Sequence, residues 1–313
     1  MNVRLMSILV AMLLVAGCHP AANVTPTGGA VQHLYVGNDN VAGQILQFTL
    51  PAFAGETSNF GFTSANNVSI ALDASGDMLA GDNAGNLTYF AAPLSATSVP
   101  AASFKNGAAS NNGQFAVTST GGFFAGTVGA SANLFNTPFT NASVPASSVT
   151  NAALISVIGV ALDSSANLYL ASAGSGTALT CTSGAGTCSN IAVFASPYTG
   201  APTVTPNIAS TAYRKIAVSS TQLFAASVAG ATGRVDVYTL PITAASTPAF
   251  AITTGVNTPE GLALDASGNL YVGNLSNAVV TVYAPPFSAA SAPTVSLTVS
   301  GGAFAIFGIA IGK

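Results

Sequence analysis

Apolar residues in this chain come in short runs broken by Gly, Ser, Asn, Asp and Pro. The pattern is clearest at Gly261–Asn274, "GLALDASGNLYVGN". "GLALD" and "NLYVGN" have strand length and β-propensity, and the Ala-Ser-Gly between them predicts a tight hairpin. In that turn Asp265 is placed to cap with its carboxylate, and Gly268 to take the positive φ. The turn recurs at Asp73/Gly76 and at Asp163, where Ala166 replaces the glycine. A third run, "VVTVYA", alternates and stops at Pro285-Pro286; a fourth, "TVSLTV", starts just after Pro293. Equivalent prolines at 100, 145, 202 and 248 open the fourth run elsewhere. Proline there suits an outermost strand, because it withholds a hydrogen-bond donor from stray partners. Each unit is predicted to be a four-stranded antiparallel sheet whose last strand faces outward.

Two independent rulers count the units. The apolar residue opening the second strand falls at Leu34, Met78, Phe123, Leu168, Leu223 and Leu270, at intervals of 44, 45, 45, 55 and 47. The proline closing the third strand falls at 51, 93, 138, 197, 241 and 286, at intervals of 42, 45, 59, 44 and 45. Both give six units of about 45 residues, the fourth enlarged by "CTSGAGTC". Such repeats stack as open arrays or closed propellers. "FGIAI" near Lys313 is a first strand without its second, and "VQHLYVGN" at Val31–Asn38 is a second strand without its first. Joined, they complete one sheet and remove an unpaired apolar edge. The expected fold is all-β: a six-bladed β-propeller of four-stranded antiparallel blades over residues 31–313, closed by the C-terminal strand completing the N-terminal blade.

The units "PEGLALDASGNLYVGN", "IGVALDSSANLYLASAG" and "VSIALDASGDMLAGDNAGNLTYF" resemble the NHL-repeat and SMP-30/gluconolactonase-like β-propellers. The resemblance spans all six units and is specific for fold but not for activity, since this fold hosts hydrolases, lyases and pure binding modules. It implies a site on the face where each innermost strand begins, around the central channel. For the lactonases of that superfamily it implies a divalent cation held there by carboxylate and amide oxygens.

Aligning the units puts Phe307, Val68, Gly113, Ile158, Arg214 and Glu260 at one mouth position, followed by Gly308, Ser69, Gln114, Gly159, Lys215 and Gly261. Most of this ring is apolar or small. Arg214, Lys215 and Glu260 stand together on units five and six, with Tyr213 beside them to stack on a ligand, and these four are the candidate ligand-binding residues. A plain inter-blade ion pair is the structural alternative. One carboxylate is a poor start for a hard cation that takes six or more oxygen ligands. A metal site would have to add Asp82, Asp39, Asn38 and Asn274 to Glu260, and these loop residues also suit turn capping. His33 reads as a strand residue, no Gly-x-Ser-x-Gly elbow is present, and no catalytic residue or cofactor is expected.

Charged residues make up only 5% of the chain, against about 25% in typical soluble domains. With Arg4 removed in a leader, nine acids face five bases. Unclustered bases in an acidic chain exclude nucleic acid as a partner. Fifty per cent apolar residues exclude disorder and allow a large core.

"MNVRLMSILVAMLLVAGC" has the layout of a secretory leader. Val15-Ala16-Gly17-Cys18 resembles a bacterial lipobox, which makes 1–17 a lipoprotein signal peptide, Cys18 the lipidated residue and 18–30 a linker. His19 after the cysteine directs the expectation to the outer membrane, facing the periplasm or the cell surface. Export permits a disulfide between Cys181 and Cys188. The reading is an exported, lipid-anchored monomer that acts as a binding or scaffold module for a glycan, cell-wall or protein ligand without catalysis. The alternative is an SMP-30-like, metal-dependent lactonase or esterase with its site at the channel mouth, the one reading that calls for a divalent cation.

Overall fold

Short strands separated by Asp-, Gly- and Pro-containing turns cannot bury two faces alone, so each sheet must pack against neighbours on both sides. A computed structural model describes residues 31–38, 43–52, 54–64, 69–107, 111–174, 188–209, 211–228, 233–299 and 305–313. Residues 1–30, with the expected leader, Cys18 and linker, lie outside the described residues, as do Asp39, Val68 and Cys181. Six antiparallel sheets follow one another, and the first strand of each lies innermost. The inner strands of blades two to six are Ser69–Leu72, Phe115–Val117, Val157–Leu162, Tyr213–Val218 and Pro259–Leu264. Blade one takes its inner strand, Ile306–Gly312, from the C-terminal end and its second strand, His33–Asn38, from the N-terminal side. The six inner strands touch in order around a ring, six back to one.

The closing pair is antiparallel, with Leu34 opposite Ile311 and Val36 opposite Ile309. Leu34, Val36, Ile306 and Ile309 are buried against Tyr271, Val280 and Val282 of blade six. The C-terminal strand therefore does two jobs: it fills the inner edge of blade one and supplies half of a blade interface. Five further apolar clusters occupy the other interfaces, so the core is a ring of inter-blade seams.

The turn reading holds at atomic detail. Asp73, Asp163 and Asp265 each accept two backbone N–H bonds through Oδ1. Gly76 and Gly268 have φ of +88° and +80°, and Ala166 adopts +60° in the same place. The six landmark prolines all follow cis peptide bonds, and the outer strands begin just after prolines 100, 145, 202, 248 and 293. Gly174 pairs with Cys188 across the base of the fourth-unit insertion. The strand ends Gly174 and Cys188 therefore lie on the face where the inner strands begin.

Ile309 reports on the closing strand. Ile309→Ala is expected to lower the unfolding free energy by about 2–4 kcal/mol, measured by denaturant titration. A loss under about 0.5 kcal/mol, the range of surface substitutions, would show that this strand is no part of the core.

Candidate functional site

The upper mouth is the face where the inner strands begin, and β-bulges shape it. Register slips between Val157 and Gly159, Tyr213 and Lys215, and Pro259 and Gly261, leaving Ile158, Arg214 and Glu260 as extra residues. The closing pair slips likewise at Phe307, between the partners of Gly37 and Asn38. A bulge turns its extra residue out of the strand's alternation and re-aims the side chain. Four of the six aligned mouth positions are thus bulge residues, two apolar and two charged, and the charged pair sits on adjacent blades.

Arg214 Nε lies 3.5 Å from Glu260 Oε1, with the arginine side chain 39% exposed and the glutamate 8%. The contact is an ion pair without hydrogen-bond geometry, since Arg214 Nε makes no hydrogen bond. Lys215 is buried next to them, 4% exposed. Burial pulls its pKa from 10.5 down to about 8, Glu260 works against that shift, and Arg214 adds to it. Burial raises the Glu260 carboxyl, opposed by Arg214 and Lys215. Two cations thus surround one carboxylate, and the more exposed charge is positive.

The other sequence candidates are placed elsewhere or tied down. The Tyr213 ring is buried in the seam between blades four and five. Its hydroxyl lies 2.8 Å from both Asp236 Oδ2 and the Tyr238 hydroxyl, while Arg234 Nε donates to Asp236 Oδ1 at 2.6 Å. It offers no face for stacking a ligand, because the bulge re-aims Arg214 alone and leaves its neighbours within the sheet. Asp82 accepts from Ala84 N and Asn86 N at 2.8 Å, and its other oxygen takes the Asn86 side-chain amide. Asn274 accepts from Asn257 N at 2.7 Å and donates to Val272, Val279 and Thr281. Asn38 ends the second strand of blade one. Among the described residues no three His, Cys, Asp or Glu side chains come together as a metal site. The donor set here, one carboxylate held by two cations, does not fit a hard divalent cation.

One mouth residue has a structural role that the sequence reading did not assign. Gln114 of blade three reaches blades four and five: its Oε1 accepts from Val160 N at 3.1 Å and Ile216 N at 2.8 Å, and its Nε2 donates to Ile216 O at 2.8 Å. The carboxamide imitates a paired peptide group and satisfies inner edges that would otherwise face the channel. A lone amide in a ring of small residues was the available signal.

The buried charges give a pH profile. Lys215 has a folded pKa of about 8 against 10.5, so between those values the unfolded chain binds more protons and stability rises with pH. The buried Tyr213, Tyr238 and Tyr271 are raised above 10.0, mainly by burial. Above that value the unfolded chain loses phenolic protons that the folded chain keeps, and stability falls. Denaturation midpoints are expected to climb from pH 8 toward 10 and then drop. In Lys215→Met the climb should vanish and the drop persist; a climb of equal size in that variant would assign it elsewhere.

No family model and no curated protein matches the chain. Solved structures do. A protein from Lactobacillus plantarum superposes with a TM-score of 0.62 at 14% identity, covering 91% of this chain and 100% of its own. The periplasmic gluconolactonase of Pseudomonas aeruginosa gives 0.58 at 10% identity, covering 91% and 99%. A candidate 6-phosphogluconolactonase from Bacteroides uniformis gives 0.57 at 12%, covering 86% and 83%. At these identities the likeness shows the β-propeller fold, in agreement with the six sheets of this chain, and nothing about activity.

Proposed function

We propose that this protein is an exported, lipid-anchored β-propeller that binds an anionic ligand at its upper mouth without transforming it. The carrying observation is the half-exposed Arg214 above buried Glu260 and Lys215. In a chain with 5% charged residues, two charged bulge residues and the adjoining Lys215 make a local positive site in an acidic molecule. Arg214 Nε is itself buried, so an arriving carboxylate meets the exposed end of the guanidinium, which can hold it through charge-assisted hydrogen bonds. Carboxylate-bearing glycans, cell-wall fragments and acidic segments of a partner protein share this chemistry. In this reading Cys181 and Cys188 form a disulfide, and Cys18 holds the propeller at the outer membrane.

A second reading is supported by the names of two structural neighbours, a periplasmic gluconolactonase and a candidate 6-phosphogluconolactonase. It makes this chain a lactonase. The poor fit of the mouth residues to a divalent cation favours the binding reading.

N-acetylmuramic acid, a cell-wall sugar carrying a carboxylate, tests the proposal by calorimetry. Arg214→Ala should weaken it about tenfold or more, the worth of one charge-assisted hydrogen bond, and added salt should weaken it further. Absent binding, or affinity unchanged by Arg214→Ala, would overturn the proposal. Calcium-dependent hydrolysis of glucono-δ-lactone, lost in Glu260→Gln, would establish the second reading instead. For the anchor, Cys18→Ser should move the protein from the membrane to the soluble fraction on cell fractionation. Retention in the membrane would contradict lipidation.

A further inference from the structure

The lower mouth, where the inner strands end, is built from the turns between first and second strands. In blades four and six one clasp seals this turn. Asp163 Oδ1 caps the backbone, and Oδ2 accepts from Asn167 Nδ2 at 2.8 Å and the Tyr169 hydroxyl at 3.1 Å. Asp265 repeats it with Asn269 at 2.8 Å and Tyr271 at 3.3 Å.

Blade two breaks the clasp. Asp77 stands where the asparagines stand, and Leu79 where the tyrosines stand. Asp73 Oδ1 still caps Ser75 N and Asp77 N, at 2.8 and 2.9 Å. Its Oδ2 gains neither amide nor phenol, and the Asp77 carboxylate cannot replace them because it accepts the Tyr89 hydroxyl and Ala92 N at 2.6 and 2.7 Å. In blade three Thr118 takes the place of the capping aspartate, so no clasp covers that side either.

The broken clasps border a cavity of 760 Å³. It is lined by the apolar Leu72, Val117 and Ile311 and by Thr118, Thr120 and Thr137, the Thr118 and Thr120 hydroxyls lying 3.1 Å apart. Gly121, at φ +82° in the same turn place as Gly76, lies beside Asp73 Oδ2, and a Cβ there would sit at ordinary contact distance, 3.5 Å. An adjoining cleft of 490 Å³ shares Ser75 and Lys313 with it and is bordered by His33, Tyr35 and Gln47. His33 Nδ1 is buried with no hydrogen-bond partner among the described residues. An uncommitted carboxylate oxygen, several hydroxyls and an apolar lining match a ligand with hydroxyls on its rim and C–H groups on its face. The volume lies within the roughly 300–1,000 Å³ of small-molecule sites. A metal is the wrong occupant, since no three ligating side chains meet among the described residues.

We propose that the lower mouth is a second binding site, for a neutral mono- or disaccharide, in which Asp73 Oδ2 accepts hydrogen bonds from the sugar's vicinal hydroxyls. The site is separate from the upper mouth and stands whether or not that mouth binds an anion.

Saturation-transfer NMR and calorimetry on the full propeller with glucose, galactose and maltose provide the test. At least one of these should bind, and Asp73→Asn should weaken it about tenfold, the worth of a hydrogen bond to a charged group. Asparagine keeps the Oδ1 cap of the turn and puts a donor where the acceptor was, so the melting curve should hold. Arg214→Ala and Glu260→Gln should leave sugar binding unchanged. No binding of any of the three sugars, equal binding in Asp73→Asn, or loss in the upper-mouth variants would overturn the proposal.

Discussion

One strand pairing governs the molecule: Ile306–Gly312 against His33–Asn38. The Tyr35 hydroxyl meets the carbonyl of Lys313 at 3.5 Å across 278 positions of sequence, so the closing entropy is that of nearly the whole chain. An open ring would leave blade one with an unpaired inner edge and blade six with half a seam. Both penalties fall on apolar residues, Leu34, Val36 and Ile309 among them. Closure by this strand therefore completes both the first sheet and the seam between blades six and one.

Charge is scarce, and most of it is already spoken for. Asp163 and Asp265 seal turns, Asp82 ties its own loop, Asp77 is held by Tyr89, and Asp236 is paired with Arg234 inside a blade. Lys105 donates to the carbonyl of Ala84 at 3.1 Å. Burying Asp82 and Asp236 is tolerable because each has a partner. Against that background two places stand out. Arg214, Lys215 and Glu260 bring two cations to one carboxylate without hydrogen-bond closure between Arg214 and Glu260, and Asp73 keeps only one of its oxygens committed to its turn.

The fold was legible because a closed repeat writes itself into the sequence several times. The second-strand residues from Leu34 to Leu270 and the prolines from Pro51 to Pro286 are packing and turn requirements met six times over. The mouth positions were legible too, since Arg214 and Glu260 occupy the slot that the bulges re-aim. What could not be read was the reach of side chains across the ring. Gln114 bonds Ile216 over 102 positions, and no local pattern encodes that distance. Tyr213 looked like a mouth residue because it precedes Arg214, yet a bulge lifts one residue and leaves its neighbour in the sheet. The altered clasp was visible as Asp77 and Leu79, but it acquires meaning only once the hydrogen bonds of Asp163 and Asp265 show what those substitutions remove.

Departure from the repeat is the most informative signal in such a protein. A position kept alike in every blade serves the sheet, and one that breaks the pattern must be explained by something other than the sheet. At the upper bulge, Ile158 and Phe307 show that apolar side chains satisfy the architecture, so the arginine and glutamate on blades five and six are surplus to it. At the lower turn, Asn167 and Asn269 show that the clasp is available to this chain, so its loss in blade two is no requirement of folding. Gln114 joins the inner strands of blades three, four and five between these two places. One side chain thus ties three blades together through the backbone groups of Val160 and Ile216, a tie that no other blade's repeat position supplies by pattern and that only the folded ring reveals.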